Sequence, residues 1–154
     1  MEENNNIYVS SRGLLKSCDY FSNTPRSSIR QLINYPQLET IKNIKNPSIY
    51  ICSSAIPHFV NVMLPIIDFS FILVSGDCDE TIPNEILNNN DFINLINDKR
   101  ILHWFCQNMT FDHDKITRIP IGLDYHTLTQ RPLWGPISSC QDQEKMLIMI
   151  KEKS

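Results

Sequence analysis

Several signals of membrane, secreted and nucleic-acid-binding proteins are missing from the sequence. No stretch approaches the roughly 18 apolar residues that cross a bilayer. The start, MEENNN, has neither the basic nor the apolar region of a signal peptide. The 14 basic and 17 acidic residues give a net charge of -3 without a basic tract, so the charge pattern does not favour a nucleic-acid surface. We therefore expect a soluble cytoplasmic protein with no membrane span and no nucleic-acid partner.

Cysteine pairs and several catalytic motifs are absent as well. The five cysteines are widely spaced and form no CxxC pair, a pattern that is typical of reduced thiols in a reducing compartment. There is no GxxxxGKS or GxxxxGKT phosphate loop, no GxGxxG fingerprint and no GxSxG elbow. These absences argue against nucleotide hydrolysis, nicotinamide binding and serine hydrolysis.

The sequence is organised around a central apolar segment, Phe69 to Val74, in which only Ser70 is polar. At 154 residues and 42% hydrophobic content, the chain is long enough for one domain with its own core. A segment that is apolar on both faces is typical of a central strand in a parallel sheet covered by helices on both sides. Three carboxylates follow it, those of Asp77, Asp79 and Glu80. The pattern predicts a buried strand that ends in an acidic loop.

Strand-like and helix-like segments alternate along the middle of the chain. This order favours right-handed parallel crossovers, and it predicts a three-layer α/β fold with a mostly parallel sheet. The predicted strands are Ile7–Val9, Ser48–Cys52, Phe69–Val74, Ile101–Cys106 and Ile116–Ile119, the last of them short or at an edge because Pro120 removes a ladder donor. The predicted helices are Ser28–Leu38, interrupted by Pro36, then Ile56–Ile67, Pro83–Leu87 and Asp91–Ile96.

The C-terminal part of the chain predicts an irregular segment followed by one helix. Residues 127–135 contain Pro132, Trp134 and Gly135 and show no helical period. Ser138 or Ser139 is a suitable cap for a helix over CQDQEKMLIMIKEK, which has acidic residues near its start and lysines near its end. Its five consecutive apolar residues, 146–150, are too continuous for a one-sided surface helix. We therefore expect a partner surface at this helix.

Polar side chains follow the predicted strands and form the candidate site. Adjacent parallel strands deliver their following loops to the same sheet edge, so we expect these side chains to share one cleft. Carboxylates with nearby amides and hydroxyls suit the hydroxyl groups of a sugar, and a carboxylate or a histidine can act as general base. The candidate catalytic residues are Asp77, Asp79, Glu80 and His126, and the candidate substrate-binding residues are Arg12, Gln107, Asn108, Gly122, Asp124 and Tyr125.

The acidic loop and Arg12 each have an ordinary structural alternative. Asp and Glu after a strand, followed by Pro83 and Asn84, are also what a turn and a helix start look like. Arg12 beside Gly13 suits an anion site because guanidinium binds phosphate with two bonds, but a lone exposed arginine is the commoner case. A helix cap and a functional carboxylate therefore remain alternatives for the acidic loop.

Metal binding is a competing chemistry. Ligand-type side chains occur in the second half of the chain, but no HExxH or CxxC spacing places two of them on one face, so we expect no metal site. The acidic loop also lacks the glycine and glutamate spacing of a calcium hand. The ligand types considered are His103, Cys106, Asp112, His113, Asp114 and His126.

Several segments resemble one family of glycosyltransferases. They are SGDCDETIP at 75–83, HWFCQN at 103–108, KITRIPIGLDYHT at 115–127 and the early SSRGLLKSCDY at 10–20. In order and content they resemble the SxxSDxxxP loop, the WFaQN strand end and the piPIGL segment of exostosin-like glycosyltransferases from large DNA viruses, algae and bacteria. The resemblance covers roughly Ile7 to Glu144, the amino-terminal half of those proteins.

The resemblance implies half of a GT-B architecture, in which two Rossmann-like domains face each other across a cleft and no metal or other cofactor is required. The amino-terminal domain of such enzymes shapes the acceptor side, and the carboxyl-terminal domain holds the nucleotide sugar. It assigns residues 1–6 to a polar leader, 7–136 to the Rossmann-like acceptor-side domain and 137–154 to a helix that crosses to a second domain. If the source is viral, the expected location is the host cytoplasm.

The resulting functional expectation is a glycosyltransferase-like amino-terminal domain. A sugar acceptor is its expected partner, whereas a nucleotide sugar would require a second domain. Because the chain stops at Ser154, we expect no activity from this part alone. A non-catalytic sugar-binding or interaction module is the main alternative, and a metal-dependent hydrolase that uses the acidic loop is a further one.

Overall fold

The computed structural model describes residues 5–21, 34–132 and 135–153. The chain divides into two compact units. Cys18–Pro120 form the first, which we call the sheet unit, and Met1–Ser17 together with Ile121–Ser154 form the second, which we call the helical unit. The domain boundaries expected after residues 6 and 136 stay a prediction.

The described residues of the sheet unit form four parallel strands. They are β1 (Ser48–Cys52), β2 (Phe71–Gly76), β3 (Ile101–Cys106) and β4 (Ile116–Arg118). Their order in the sheet is β1-β2-β3-β4, and each neighbouring pair is parallel. This arrangement confirms the predicted fold class, a Rossmann-like α/β domain with a parallel sheet. It also confirms that β4 lies at an edge, as Pro120 indicates.

The two faces of the sheet are buried to different extents. On one face Ile49, Leu73 and Trp104 lie side by side and belong to the main apolar core. On the other face the row that includes Val74 and Phe105 lies outside that core, and Phe105 is only half-buried. The continuous apolar run in the sequence therefore describes one face that is packed tightly and a second that is covered in part.

Helical segments precede β1 and connect β1 to β2 and β2 to β3. Before β1 lies α2 (Tyr35–Ile41), and between β1 and β2 the chain is helical over 53–66, with one regular turn, α3 (Ile56–His58), in its middle. Between β2 and β3 lies α4 (Asn89–Asn97), which Asn88 caps and which buries Phe92, Leu95 and Ile96 as its spacing predicts. Burial of these apolar side chains against the sheet is the main stabilising contribution to the unit.

The described residues of the helical unit form three helices, which come from both ends of the chain. They are α1 (Ser11–Lys16), α5 (Tyr125–Gln130) and α6 (Cys140–Lys153). Ser10 caps α1 and forms an isolated parallel bridge with Leu123. Ser139 caps the start of α6, because its hydroxyl accepts a hydrogen bond from the Asp142 amide at 3.1 Å. The final helix and its cap were predicted, whereas the other two helices were not.

Several predicted elements are wrong in the N-terminal and central parts of the chain. Ile7–Val9 is not a strand; it is irregular chain that leads to the Ser10 bridge. The central strand begins at Phe71 rather than Phe69 and continues to Gly76. Residues 83–86 form turns, since Pro83 and Asn84 start a turn that is not continued as a helix.

The prediction for Pro36 is also wrong. Pro36 was expected to interrupt a helix over Ser28–Leu38, but it lies in the first turn of α2, where its missing amide donor costs nothing. The part of that predicted helix at 28–33 lies outside the described residues. None of the helices that the structure describes combines the length and the apolar content needed to cross a membrane.

Candidate functional site

The acidic loop begins where β2 ends, and its first residue has an unusual backbone conformation. Gly76 closes the strand, and Asp77 follows with φ of 58°, in the left-handed region that most side chains disfavour. A Cβ at Gly76 would overlap the side-chain amide of Gln107. Glycine is therefore required here for a close approach between two neighbouring strand ends.

Gln107 joins the ends of three strands. Its side chain is 1% exposed. Its Oε1 accepts a hydrogen bond from the Asp77 amide at 2.8 Å, and its Nε2 donates to the Pro120 carbonyl at 2.9 Å. Both ends of the side-chain amide are thus used to hold the loops after β2 and β4 against the end of β3. Gln107 is therefore a structural link between these two loops.

Asn108 fixes the acidic loop from a second side. It also has a positive φ, 53°, which asparagine tolerates better than most residues. Its Nδ2 donates to the carbonyl of Cys78 at 2.8 Å and lies 3.3 Å from that of Asp79. The side chains of two adjacent residues, Gln107 and Asn108, therefore hold the backbone of 77–79 in place.

Asp79 and Glu80 are exposed. The thiol of Cys78 donates to Glu80 Oε2 at 2.6 Å, and this bond lowers the pKa of Glu80. Burial, followed by the contact with Glu80, raises the pKa of Cys78 to about 12. A carboxylate with a lowered pKa is a weaker general base, so Glu80 suits hydroxyl binding better than proton abstraction.

Two further side chains near this edge, the thiol of Cys106 and the phenol of Tyr50, have a raised pKa and stay protonated at neutral pH. Burial raises the pKa of the Cys106 thiol to about 12, which removes it as a nucleophile because only a thiolate reacts readily. Tyr50 is fully buried, and its hydroxyl has no hydrogen-bond partner among the described residues. Burial and the charge of Asp77 both raise the pKa of this phenol. Its place in an apolar strand gave no signal of a polar role.

The remaining predicted site residues belong to the helical unit. Asp124 caps α5, since its carboxylate accepts from the Thr127 amide at 3.0 Å. Partial burial opposes a lower pKa for Asp124, but the hydrogen bonds from Thr127 and the charges of His126 and Arg12 lower it. His126 Nδ1 lies 3.0 Å from Asp124 Oδ1, but this nitrogen forms no aligned hydrogen bond with the described residues.

Gly122 and Tyr125 have structural roles in the same unit. Gly122 has φ of 82°, and a Cβ there would overlap the Val9 backbone, so this glycine permits the close pairing of Val9 with Leu123. Tyr125 is 2% exposed, and its hydroxyl donates to Glu144 Oε1 at 3.3 Å. A small open cavity of about 160 Å³ lies along residues 6–10 and the first turn of α1.

Glu144 is the residue of this unit that sequence reasoning missed. It is 9% exposed and accepts hydrogen bonds from the amides of Ile7 at 2.7 Å and Tyr8 at 3.1 Å. The signal was present, because Glu144 lies one turn after Cys140 and one turn before Ile148, on the inner side of an otherwise apolar helix face. A carboxylate at such a position indicates a buried acceptor.

The predicted site residues thus fall into two groups. Asp77, Asp79, Glu80, Gln107 and Asn108 meet at the carboxyl end of the sheet, as predicted from the parallel strand order. Arg12, Gly122, Asp124, Tyr125 and His126 belong to the helical unit. The predicted cleft shared by both groups stays a prediction.

The ligand types considered for a metal are used in other ways. His103 Nε2 lies 2.8 Å from Thr117 Oγ1, and Asp112 pairs with Arg118 at 2.8 Å. In the part of the chain that the structure describes, no group of three or more His, Cys, Asp or Glu side chains is arranged to hold a metal ion.

The comparisons with known proteins identify no relative. Neither a protein-family model, nor a curated protein, nor a solved structure matches this chain. The resemblance to exostosin-like glycosyltransferases therefore stays a prediction that rests on the motifs quoted above.

Proposed function

We propose that the sheet unit is the acceptor-side domain of a glycosyltransferase-like protein of GT-B type, and that it binds sugar hydroxyls at the loop 77–80. The observation that supports the proposal is the position of this loop. It follows the central strand β2 of a parallel sheet, where ligands bind in open α/β folds, and it presents the exposed carboxylates of Asp79 and Glu80.

The rigidity of the loop supports a binding role. Gln107 and Asn108 hold its backbone by three side-chain contacts, so a ligand meets carboxylates that are already positioned. A preorganised site loses less conformational entropy on binding than a mobile loop does. Carboxylate oxygens accept hydrogen bonds from vicinal hydroxyls, which is the chemistry that a sugar acceptor requires.

A non-catalytic sugar-binding module is the second candidate. It is favoured by the lowered pKa of Glu80, which the Cys78 thiol causes, since a weaker base is poorly suited to activate an acceptor hydroxyl. The two candidates share the binding site and differ in turnover. In the glycosyltransferase proposal, Asp77 or Asp79 supplies the general base, and a second domain supplies the nucleotide sugar.

Sugar binding by the loop can be tested by titrating labelled protein with a panel of mono- and oligosaccharides and following backbone amide shifts. We expect saturable shifts centred on residues 77–80. Asp79→Asn together with Glu80→Gln should weaken binding at least tenfold, and Asp77→Asn or Asp79→Asn alone should change the free energy of unfolding by no more than about 0.5 kcal/mol.

Asp68→Asn is the matched control for this experiment. Asp68 is exposed and precedes β2, so it lies at the opposite end of the same strand, and its replacement removes one negative charge, as Asp79→Asn alone does. Binding should survive Asp68→Asn. The proposal fails if no sugar binds, or if the loop variants and the control bind equally well. When a donor-binding domain is supplied, release of nucleotide from a nucleotide sugar that is lost in the loop variants would favour the enzyme over the binding module.

A further inference from the structure

The inner side of α6 is accounted for by contacts within the helical unit. Cys140 and Glu144 are buried, and Leu147 and Ile148 are half-buried. Glu144 accepts the amides of Ile7 and Tyr8, which fixes the rotation of the helix about its own axis. The opposite side of α6 is therefore the side that faces solvent.

That outer side carries an apolar pair between two opposite charges. Met146 is 64% exposed and Met149 is 54% exposed. Asp142 lies one turn before Met146, and Lys153 lies one turn after Met149; both are exposed. These four residues, which we call the outer stripe, project from one side of the helix because their spacings match its 3.6-residue period. Exposed methionines are common at adaptable binding surfaces.

The outer stripe is complementary to itself when it is reversed. The spacing from Asp142 to Met146 equals the spacing from Met149 to Lys153. If a second α6 lies antiparallel with its centre between Leu147 and Ile148, each Met146 meets a Met149 and each Asp142 meets a Lys153. A two-fold interface has this property, in which residue i contacts j and j contacts i. A parallel arrangement would instead place like charges opposite each other.

We propose that the outer stripe of α6 is a self-association surface, on which a second copy of this chain binds antiparallel about a two-fold axis. The antiparallel arrangement also places the acidic start of each helix beside the basic end of the other, which their helix dipoles favour. Lys145, whose Nζ lies 3.7 Å from Asp142 Oδ1 of the same helix, and Glu152 flank the stripe on one side. This inference is independent of the proposed sugar-binding role.

The expected dimer is weak. A helix of 14 residues is about 21 Å long, and one pair of such helices buries less than the roughly 1,200 Å² of standard stable interfaces. Sedimentation of the full chain should therefore be measured across a concentration series from about 10 μM to about 1 mM. We expect a concentration-dependent equilibrium between one and two copies.

The charge pairs give a decisive test. Asp142→Lys places two basic groups together, because the new side chain meets Lys153 of the second copy, and Lys153→Glu likewise places two acidic groups together. Each variant alone should have a dissociation constant about ten times higher, since two surface ion pairs become repulsive contacts. An equimolar mixture of the two variants should form a heterodimer within about threefold of the original affinity, because attractive charge pairs are then restored.

The controls separate a specific interface from a damaged helix. Lys151→Glu makes the same charge change as Lys153→Glu but on the inner side of α6, so it should leave self-association unchanged. Circular dichroism should show equal helix content in all the variants. Three results would overturn the proposal: a single copy at every concentration, weakening by Lys151→Glu equal to that by Lys153→Glu, or a mixture no tighter than its parent variants.

Discussion

The two units of this chain are stabilised in different ways. The sheet unit is formed by one continuous stretch and contains the main apolar core, with Leu73 and Trp104 near its centre. The helical unit joins both ends of the chain, and the buried carboxylate of Glu144 connects them by hydrogen bonds to Ile7 and Tyr8. Apolar periodicity is visible in a sequence, whereas a polar connection across more than a hundred residues is not. Sequence reasoning consequently did better in the first unit.

The largest effect should come from the core of the sheet unit. Trp104 is 1% exposed, and its Nε1 donates to Ser75 Oγ at 2.9 Å. We expect Trp104→Ala to lower the free energy of unfolding by about 3–5 kcal/mol, because removal of the large buried ring leaves a cavity and removes the hydrogen bond that the Ser75 hydroxyl accepts. Phe105→Ala, one residue along and on the less buried face, should cost about half as much. Urea denaturation followed by circular dichroism measures both, and equal losses would contradict the difference between the faces.

A second experiment compares the contribution of the polar links of the sheet unit to stability with the contribution of its apolar core. Gln107→Ala removes two hydrogen bonds and leaves the Asp77 amide without its partner, so we expect a loss of about 2–3 kcal/mol. Gly76→Ala should cost a similar amount, since the new Cβ displaces the Gln107 side chain.

The losses in the free energy of unfolding caused by Gly76→Ala and Gln107→Ala should not be additive, because both changes remove the same link. The double variant should be at least about 1 kcal/mol more stable than the sum of the single losses predicts. Gln141→Ala, an exposed glutamine of α6, serves as the control and should change stability little. Strict additivity of Gly76→Ala and Gln107→Ala would show that the close approach of the two strand ends is not what requires glycine.

Variants of Glu144 test whether its buried carboxylate stabilises the helical unit. Glu144→Ala removes the acceptor for the Ile7 and Tyr8 amides, and we expect a loss of about 2 kcal/mol. Glu144→Gln keeps one acceptor oxygen and should lose less. Amide hydrogen exchange at Ile7 and Tyr8 should accelerate in the alanine variant, while the exposed Glu152→Ala on the same helix should leave it unchanged. Unchanged exchange in Glu144→Ala would remove this carboxylate as the connection.

The smallest expected effect concerns pH and an ion pair of the sheet unit. Arg100 Nη2 lies 2.6 Å from Asp98 Oδ2, and Arg100 Nη1 donates to the Leu64 carbonyl at 2.7 Å. The hydrogen bond from Arg100 lowers the pKa of Asp98. A lowered folded-state pKa contributes stability that is fully present above the unfolded value, about 3.9, and is lost as the pH falls through the folded value.

Asp98→Asn should therefore cost about 1 kcal/mol at pH 6, a typical magnitude for a partly exposed pair. The difference from the unsubstituted protein should shrink as the pH falls below about 4 and should vanish once Asp98 is protonated in both states. Thermal unfolding measured from pH 6 to pH 2 gives this difference. A gap that stays constant over the whole range would show that the side chain acts through packing rather than charge.

The residues that were predicted correctly share a local physical cause. Ser48–Cys52 and Ile101–Cys106 have the strand bounds that the sequence indicated, because short apolar segments with β-branched and aromatic side chains bury readily as strands. Pro36 and Ile7–Val9 were misread for the opposite reason. A proline can end a helix or occupy its first turn, and three β-prone residues become a strand only if a neighbouring strand is available.

Asp124 is a candidate site residue whose structural role was likewise not predicted from the sequence. The sequence indicated a ligand-binding strand end at Asp124, whereas its bond to Thr127 shows that it caps α5. Gln107 and Asn108 were correctly expected near the acidic loop, because parallel strands place their ends together. Their inward-directed hydrogen bonds were not expected, since the acceptors belong to other loops.

The apolar pattern, together with the positions of proline, glycine and helix-capping residues, was sufficient to predict the α/β class, the parallel sheet and the final helix. The reason is that burial of apolar surface follows periods that are local in the sequence. The roles of the polar side chains depended on the tertiary structure. Gln107 has partners thirteen and thirty residues away, and Glu144 has partners more than a hundred residues away. A hydrogen bond requires a specific atom at a specific distance, and only the folded chain decides which atoms meet.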